Sequence, residues 1–308
     1  MVTVARRFGV FLLQLFLVVF GVLTALFFLL RLSGSPAAVI AGPGATPETI
    51  AIISENLGLN EPIWVQYALF VRQTAQLDFS TSIRYRVPAL DMVVARFPAT
   101  LLLAACTLIF SFSVALPLGI AAGVWSHRWF GRLIVTITGV AQSVPNFWLG
   151  VVFILVFAVW LRWLPTFGSS EPRHLVLPTL TLSIFYIARL IRLIRAGVIE
   201  TMAQDYIRTA HAKGLSERRI LFTHVLRNIL IPVVSLLVLD LSFLINGSVV
   251  VESLFSYNGI GRLLVEAINN RDYPIVQATV FFVAILIVSL NFASEQLYAL
   301  IDPRLRKG

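Results

Sequence analysis

Six stretches of this chain are apolar over the roughly 20 residues that a helix needs to cross the hydrocarbon of a bilayer. They run from about Phe8 to Leu32, Ala99 to Val124, Leu133 to Trp160, Leu175 to Leu193, Ile229 to Val251 and Ile275 to Ile301. Hydrophobic residues make up 58% of the 308 and charged residues 13%, whereas a soluble domain carries about a quarter charged residues. The pattern predicts an all-α membrane protein with six transmembrane helices. Pro117 is read as a kink within the second span. Pro178, Pro232 and Pro274 fall at or near segment starts, where a missing N–H costs least. Ser33-Gly34-Ser35-Pro36-Ala37-Ala38 imitates a signal-peptide cleavage site. The first run is too long for a secretory apolar region of about 7–15 residues, so it reads as an uncleaved anchor.

The net charge of +9 does not point to nucleic acid, because the basic residues are spread over short segments between apolar runs. Arg6, Arg7, Arg128, Arg132, the set Arg189, Arg192, Arg195, Arg208, Lys213, Arg218, Arg219 and Arg227, and the tail Arg304, Arg306 and Lys307 all fall on one side of an even-numbered topology. On the other side Glu48, Glu55, Glu61, Asp78 and Asp91 offset the arginines. Both termini are therefore expected in the cytoplasm. The single cysteine, Cys106, lies in an apolar run and supports neither an intrachain disulfide nor a cysteine metal site.

The boundaries that follow are an N-terminal transmembrane helix at 1–32, an extracytoplasmic helical insertion at 33–95, a five-helix core at 96–301 and a cytoplasmic tail at 302–308. Within the insertion, Thr46 followed by Pro47 and Glu48 reads as an N-cap with proline in the first turn. Gly58 ends that helix, and Asn60-Glu61-Pro62 starts another that carries Ile63, Trp64, Tyr67, Leu69 and Phe70 on an apolar face. Between the fifth and sixth spans, Gly259-Ile260-Gly261 lacks the third glycine and the sheet context of a phosphate-binding fingerprint. It reads instead as a turn into a short helix.

The connection between the fourth and fifth spans is a basic, soluble element at 200–228, placed in the cytoplasm by the charge rule. Helix formers run from Glu200 to Ala212, and Gly214 sits where a left-handed residue closes a helix. Ser216 is positioned to cap the next helix, with Glu217 in its first turn. Ile220, Leu221, Val225 and Leu226 give that helix an apolar face. Ala210, Ala212 and Gly214 leave the corner nearly bare, and Leu215 is expected to project as an apolar knob. A basic loop on anionic lipid is the competing reading; the ordered corner of small residues favours a protein partner. The sequence has no Gly-x-x-x-x-Gly-Lys loop, so this chain is not itself an ATPase, and it has neither a metalloprotease nor a serine-hydrolase motif. His127, His174, His211 and His224 show no metal-ligand spacing. A stand-alone secondary transporter would need no such cytoplasmic element and carries inverted repeats with broken helices, and no clear repeat is visible.

At Asp205-Tyr206-Ile207-Arg208-Thr209-Ala210-His211-Ala212-Lys213-Gly214-Leu215 the chain resembles the permease subunits of bacterial ABC importers, in particular the first permease of the peptide/nickel branch. The general importer signature opens on Glu-Ala-Ala; here those positions hold Arg208-Thr209-Ala210, as in the peptide branch. Supporting stretches are Leu57-Gly58-Leu59, Gln66-Tyr67, Asp78-Phe79-Ser80-Thr81-Ser82, Arg96-Phe97-Pro98-Ala99-Thr100, Ser143-Val144-Pro145-Asn146-Phe147-Trp148, Val250-Val251-Glu252-Ser253-Leu254-Phe255, Arg271-Asp272-Tyr273-Pro274 and Asp302-Pro303-Arg304. Two glycines of the family are replaced, by Leu77 and Ser80, so the turn around Asp78 departs from the pattern.

The resemblance implies a type I importer fold in the bacterial plasma membrane. It also implies a heterodimer with a paralogous second permease, two cytoplasmic ATPases that bind ATP and Mg, and an extracytoplasmic substrate-binding protein. This chain would bind no cofactor of its own. In such importers the glycine-centred element couples to an ATPase, which assigns coupling to Ala210, His211, Ala212, Lys213, Gly214, Leu215 and Ser216. Asp240, in the middle of the fifth span, is expected either to line the translocation path or to hydrogen-bond the partner permease, since an intramembrane carboxylate faces a cavity or a partner. Gln142, Asn146 and Asn246 are further candidates for the path. The implied substrates are dipeptides or short oligopeptides, with nickel chelates, glutathione and haem handled by similar systems.

Overall fold

The computed structural model describes residues 2–32, 36–42, 44–56 and 58–301. The tail, Ser33-Gly34-Ser35 and Leu57 therefore lie outside the described residues. Helices follow in the order α1 Val2–Leu32, α2 Pro36–Ala41, α3 Pro47–Asn56, α4 Ile63–Ala75, α5 Ala89–Val124, α6 Trp129–Gln142 and α7 Asn146–Phe153, which runs on as a π-helix over Ile154–Trp160. A short 3-10 turn at Pro172–Leu175 leads into α8 Val176–Met202. Then come α9 Asp205–Ala212, α10 Glu217–Ile220, a π-helical turn at Leu221–Val225, α11 Leu226–Leu254, α12 Ile260–Asn269 and α13 Tyr273–Ile301. Among the described residues the only β pairing is an isolated bridge between Thr81 and Pro88.

Five helices among the described residues are long and apolar enough to cross a membrane, and the first has the expected bounds Phe8–Leu32. The third expected span is broken. Its halves, Trp129–Gln142 and Asn146–Trp160, meet at 97°, and together they supply a sixth crossing only if the bent pair is one span. Pro145 explains the break: it has no N–H to continue the ladder, and its ring pushes Val144 out of the helical region. Pro117, Pro178 and Pro232 all stay within continuous helix.

The chain divides into two compact units, residues 99–261 with 290–308 and residues 1–98 with 262–289. In the first, α8 is the central post. Ile191, Ile194 and Val198 are buried in one cluster with Ala115 and Ala122 of α5 and with Ile220, Val225, Ile229 and Val233. Glycines let these helices approach closely, as small residues do in membrane interfaces. A Cβ on Gly119 would stand 2.7 Å from Cβ of Ile194, and one on Gly123 2.6 Å from Cβ of Val198. A second cluster joins Leu103, Leu177, Leu182, Tyr186, Leu244, Val251 and Phe255.

In the other unit α4 packs against α1. Phe70 and Phe27 are buried with Leu23, the hydroxyls of Thr24 and Tyr67 are 2.6 Å apart, and Arg31 donates two hydrogen bonds to Gln66 Oε1. The expected apolar face of α4 is therefore narrower than read. Ile63, Trp64 and Leu69 are exposed, because only the Tyr67 and Phe70 edge meets α1. Thr46 accepts a hydrogen bond from Thr49 N–H at 3.3 Å, the N-cap read from the sequence. Asp272 ties the insertion down by accepting from Ser82 Oγ at 2.5 Å and from the backbone N–H groups of Ile83 and Arg84.

Leu77 and Ser80, the residues that stand in for family glycines, both adopt left-handed backbone, with φ of 59° and 61°. The side chains change and the glycine-type conformation stays, at about 1–2 kcal/mol per residue. Leu77 is exposed, so glycine there loses little packing. Leu77→Gly is expected to raise stability by roughly 0.5–1 kcal/mol, the relieved strain less the extra entropy of an unfolded glycine. A lowered thermal midpoint would refute the strain argument.

Candidate coupling element and polar sites within the spans

Met202 ends α8, and a short turn leads into α9, whose inner side is held by Ile207 and Ala210, both buried in the α5–α8 cluster. Asn228 donates to the Tyr206 hydroxyl at 2.8 Å, which ties α9 to the start of α11. The helix closes in a Schellman motif. Leu215 N–H donates to Ala210 C=O at 3.2 Å, Gly214 N–H donates to His211 C=O at 2.9 Å, and Gly214 has φ of 79°. Nothing lies within 4 Å of a Cβ built on Gly214, so backbone conformation alone demands glycine and the space beside it is open.

Three expectations for this corner change. Leu215 is half-buried against the core cluster, because the residue after a Schellman glycine turns its apolar side chain back onto the helix it follows. Ala210 faces inward as well. Ser216 has the extended backbone of an N-cap, yet its side chain makes no capping hydrogen bond. The exposed surface is thus His211, Ala212, Lys213, Gly214 and Ser216. His211 Nδ1 lies 3.6 Å from Glu217 across the corner. The Asp205–Arg208 ion pair is almost wholly solvated and adds little.

Within the spans, Asp240 is wholly buried and paired with Arg189 of the same chain. The sequence reading grouped Arg189 with the charges at helix ends, but it sits at the middle of α8, where its guanidinium neutralises the aspartate. Asn246 is exposed on α11. Six residues turn a helix by 600°, so Asp240 and Asn246 point to different sides. Gln142 and Asn146 are half-buried on the two sides of the break at Pro145. The structure therefore brings Gln142 and Asn146 to one locus and leaves Asp240 and Asn246 separate from each other.

Glu252 belongs to the stretch Val250-Val251-Glu252-Ser253-Leu254-Phe255, and nothing in the sequence alone assigns it a role. It is the most elaborately held polar group in its unit. Wholly buried near the end of α11, its carboxylate accepts from Thr100 Oγ1 of α5 at 2.8 Å, from Ser248 Oγ at 2.9 Å and from Gly261 N–H at 2.8 Å. Thr100 in turn accepts from Ile260 N–H at 2.9 Å. The Gly259-Ile260-Gly261 pair is thus an anion cradle filled by the protein's own carboxylate. A Cβ on Gly261 would stand 3.0 Å from Glu252 Oε2. Beside it the Tyr257 hydroxyl donates to Ala99 C=O at 3.1 Å, and burial, with the nearby Glu252 carboxylate, pushes its phenol up to about 12. The legible signal is a glutamate seven residues ahead of Gly259, at the end of a helix whose only other acidic residue is Asp240.

Comparison with known proteins extends these observations. Residues 115–307 match the family described as binding-protein-dependent transport system inner membrane component, and residues 1–104 match its N-terminal membrane component. The chain is 40% identical over 290 residues to the glutathione transport system permease protein GsiC of Salmonella paratyphi A, covering 94% of both chains. It is 39% identical over 279 residues to GsiC of Escherichia coli K12, covering 91% of each. Two inward-facing structures of the MetNI methionine ABC transporter share the fold, with TM-scores of 0.56 and 0.57 at 17% and 19% identity. Each comparison covers 68% of this chain and 96% of the other.

Proposed function

We propose that this chain, which belongs to the family of inner membrane components of binding-protein-dependent transport systems, carries short peptides, glutathione among them, into the bacterial cell. It is the permease subunit of an ABC importer and resides in the inner membrane. Such a permease works with ATP-hydrolysing subunits and a substrate-binding protein. In the proposed assembly the second half of the pore is a paralogous permease, both termini are cytoplasmic, the insertion at 33–95 faces outward, and the tail at 302–308 faces inward. Glutathione comes first among peptides because the relatives at 39–40% identity are named for it.

The observation that carries the mechanism is the exposed corner at 211–214, closed by the Schellman bonds and rooted through Ile207 and Ala210 in the cluster around α8. A partner surface can reach its backbone, and a push on it is delivered to packed helices. Closure of the ATPases on ATP would displace this corner and, with it, the spans that α8 and α11 form. Chemistry stays with the ATPases; this chain supplies the path and the lever.

The test is uptake by proteoliposomes containing the chain with its second permease, ATPases and binding protein. ATP-dependent accumulation of labelled glutathione or a dipeptide is expected. Accumulation of nickel or haem alone would overturn the substrate class, and uptake by the chain without ATPases would overturn the mechanism.

A further inference from the structure

α8 is buried around most of its circumference. Between Phe185 and Ile199 its exposed residues are Phe185, Arg192, Ala196 and Ile199, and the half-buried Arg189 falls in line with them, at alternating spacings of four and three. Such spacing is a single face of a helix. On a lipid-facing helix that stripe would be apolar, since an arginine in hydrocarbon is costly. Here it carries two arginines, and Arg195 stands beside it with a buried Nε that has no protein partner among the described residues.

Charge on this face is unbalanced. Asp240 engages Arg189 through Nη1 alone, and the Arg189 side chain is still 35% exposed. A guanidinium has five donors in a planar fork, so the Asp240 contact fixes its orientation and leaves donors directed along the accessible side. Arg192, about one turn further on, is exposed and has no carboxylate partner among the described residues. Two guanidinium groups three residues apart on one accessible face suit a carboxylate, which such groups bind in bidentate fashion.

We propose that Arg189 and Arg192 form a carboxylate-binding station on the translocation path, which takes a carboxylate of the transported peptide. Asp240 is its positioning residue. This rests on the peptide reading above and adds a selectivity of the permease's own to that of the binding protein. The pairing also serves release. A guanidinium shared with Asp240 binds a passing carboxylate more weakly than a free one, as a site that must let its ligand leave requires.

The experiment uses the complete complex in liposomes of neutral lipid, supplied with saturating binding protein loaded with either glutathione or its glycine ethyl ester. The initial uptake rates of acid and ester are expressed as a ratio, which is independent of how much complex is active. Wild type is expected to favour the acid by about tenfold. Asp240→Asn frees the Arg189 guanidinium from its competing carboxylate, so the preference for the acid is expected to rise at least about twofold further. The double change Arg189→Gln with Asp240→Asn leaves no orphan charge and brings the ratio to within about twofold of unity. Arg192→Gln, at an exposed position, lowers the ratio without burying anything new, and so carries the test if the double variant does not assemble. A ratio unchanged both by the double variant and by Arg192→Gln would reduce the Arg189–Asp240 pair to a structural tie and overturn the station. So would loss of the second permease from purified Arg192→Gln complex, which would make the stripe a subunit interface. If wild type accumulates neither probe, the peptide reading falls and the station with it.

Discussion

Glu252→Ala is expected to remove a large share of the stability of the helical core, lowering the thermal midpoint in detergent by roughly 10 °C and leaving little assembled importer. The reason is what the carboxylate satisfies. Thr100 Oγ1, Ser248 Oγ and Gly261 N–H all donate to it from inside the protein, and alanine fills none of that space. A buried donor left without an acceptor costs about 1–3 kcal/mol. The hydroxyls recover part of this by rotating to other acceptors; the Gly261 N–H cannot, since it is fixed by the start of α12. Summed over the three donors, a loss of about 3–5 kcal/mol results, a large share of the 5–15 kcal/mol typical of a folded domain. Glu252→Gln separates the contributions. Its carbonyl still accepts, whereas its amide NH₂ opposes one of the three donors, so about 1–2 kcal/mol is expected. If Glu252→Ala melted within 2 °C of wild type, about what 1 kcal/mol shifts in a chain of this size, the cradle would be incidental to the fold.

Glu252 also shows which part of this protein could be read from its residues alone. Hydropathy placed the first span at Phe8–Leu32 and the structure agrees, because a run that leaves the bilayer at a charged edge has no other solution. The left-handed position of Gly214 was legible for the same local reason: helix formers stop there and only glycine takes that backbone without strain. Partnerships across the fold were not legible. Glu252 finds Thr100 at a separation of 152 residues and Asp240 finds Arg189 at 51, and no periodicity encodes either pairing. The break at Pro145 lay between these cases. Five prolines sit in or near apolar spans, and among the described residues only Pro145 bends its segment; Pro117, Pro178, Pro232 and Pro274 stay in continuous helix. Leu215 was misplaced for a simpler reason: the residue after a Schellman glycine packs inward, and reading it as an exposed knob overlooked that rule.

Ala212→Trp is expected to leave the protein folded and abolish transport. Ala212 ends α9 on its exposed side, next to Lys213 and Gly214, and its side chain takes no part in the Schellman bonds or in the buried face formed by Ile207 and Ala210. A bulky ring there meets solvent, so thermal stability should move by no more than about 0.5 kcal/mol. Against a partner surface the same ring is a wedge in the place where the backbone must approach closely. If seating of this corner transmits the ATPase stroke, losing it is expected to reduce ATP-driven uptake by about 100-fold or more, equivalent to some 2.7 kcal/mol of lost docking. ATP hydrolysis by the assembled complex would then no longer respond to loaded binding protein. Asp205→Ala is the control, since it removes only a solvated ion pair at the far end of the same helix and should transport within about twofold of wild type. Gly214→Ala lies between them. It adds a small side chain into open space and forces a left-handed alanine, at a cost of about 1–2 kcal/mol in the folded corner, so uptake and stability should fall together. In Ala212→Trp they should separate, and that separation distinguishes a docking surface from a corner that merely needs to fold. Wild-type uptake by a folded Ala212→Trp complex would move the coupling contact away from 210–216 altogether.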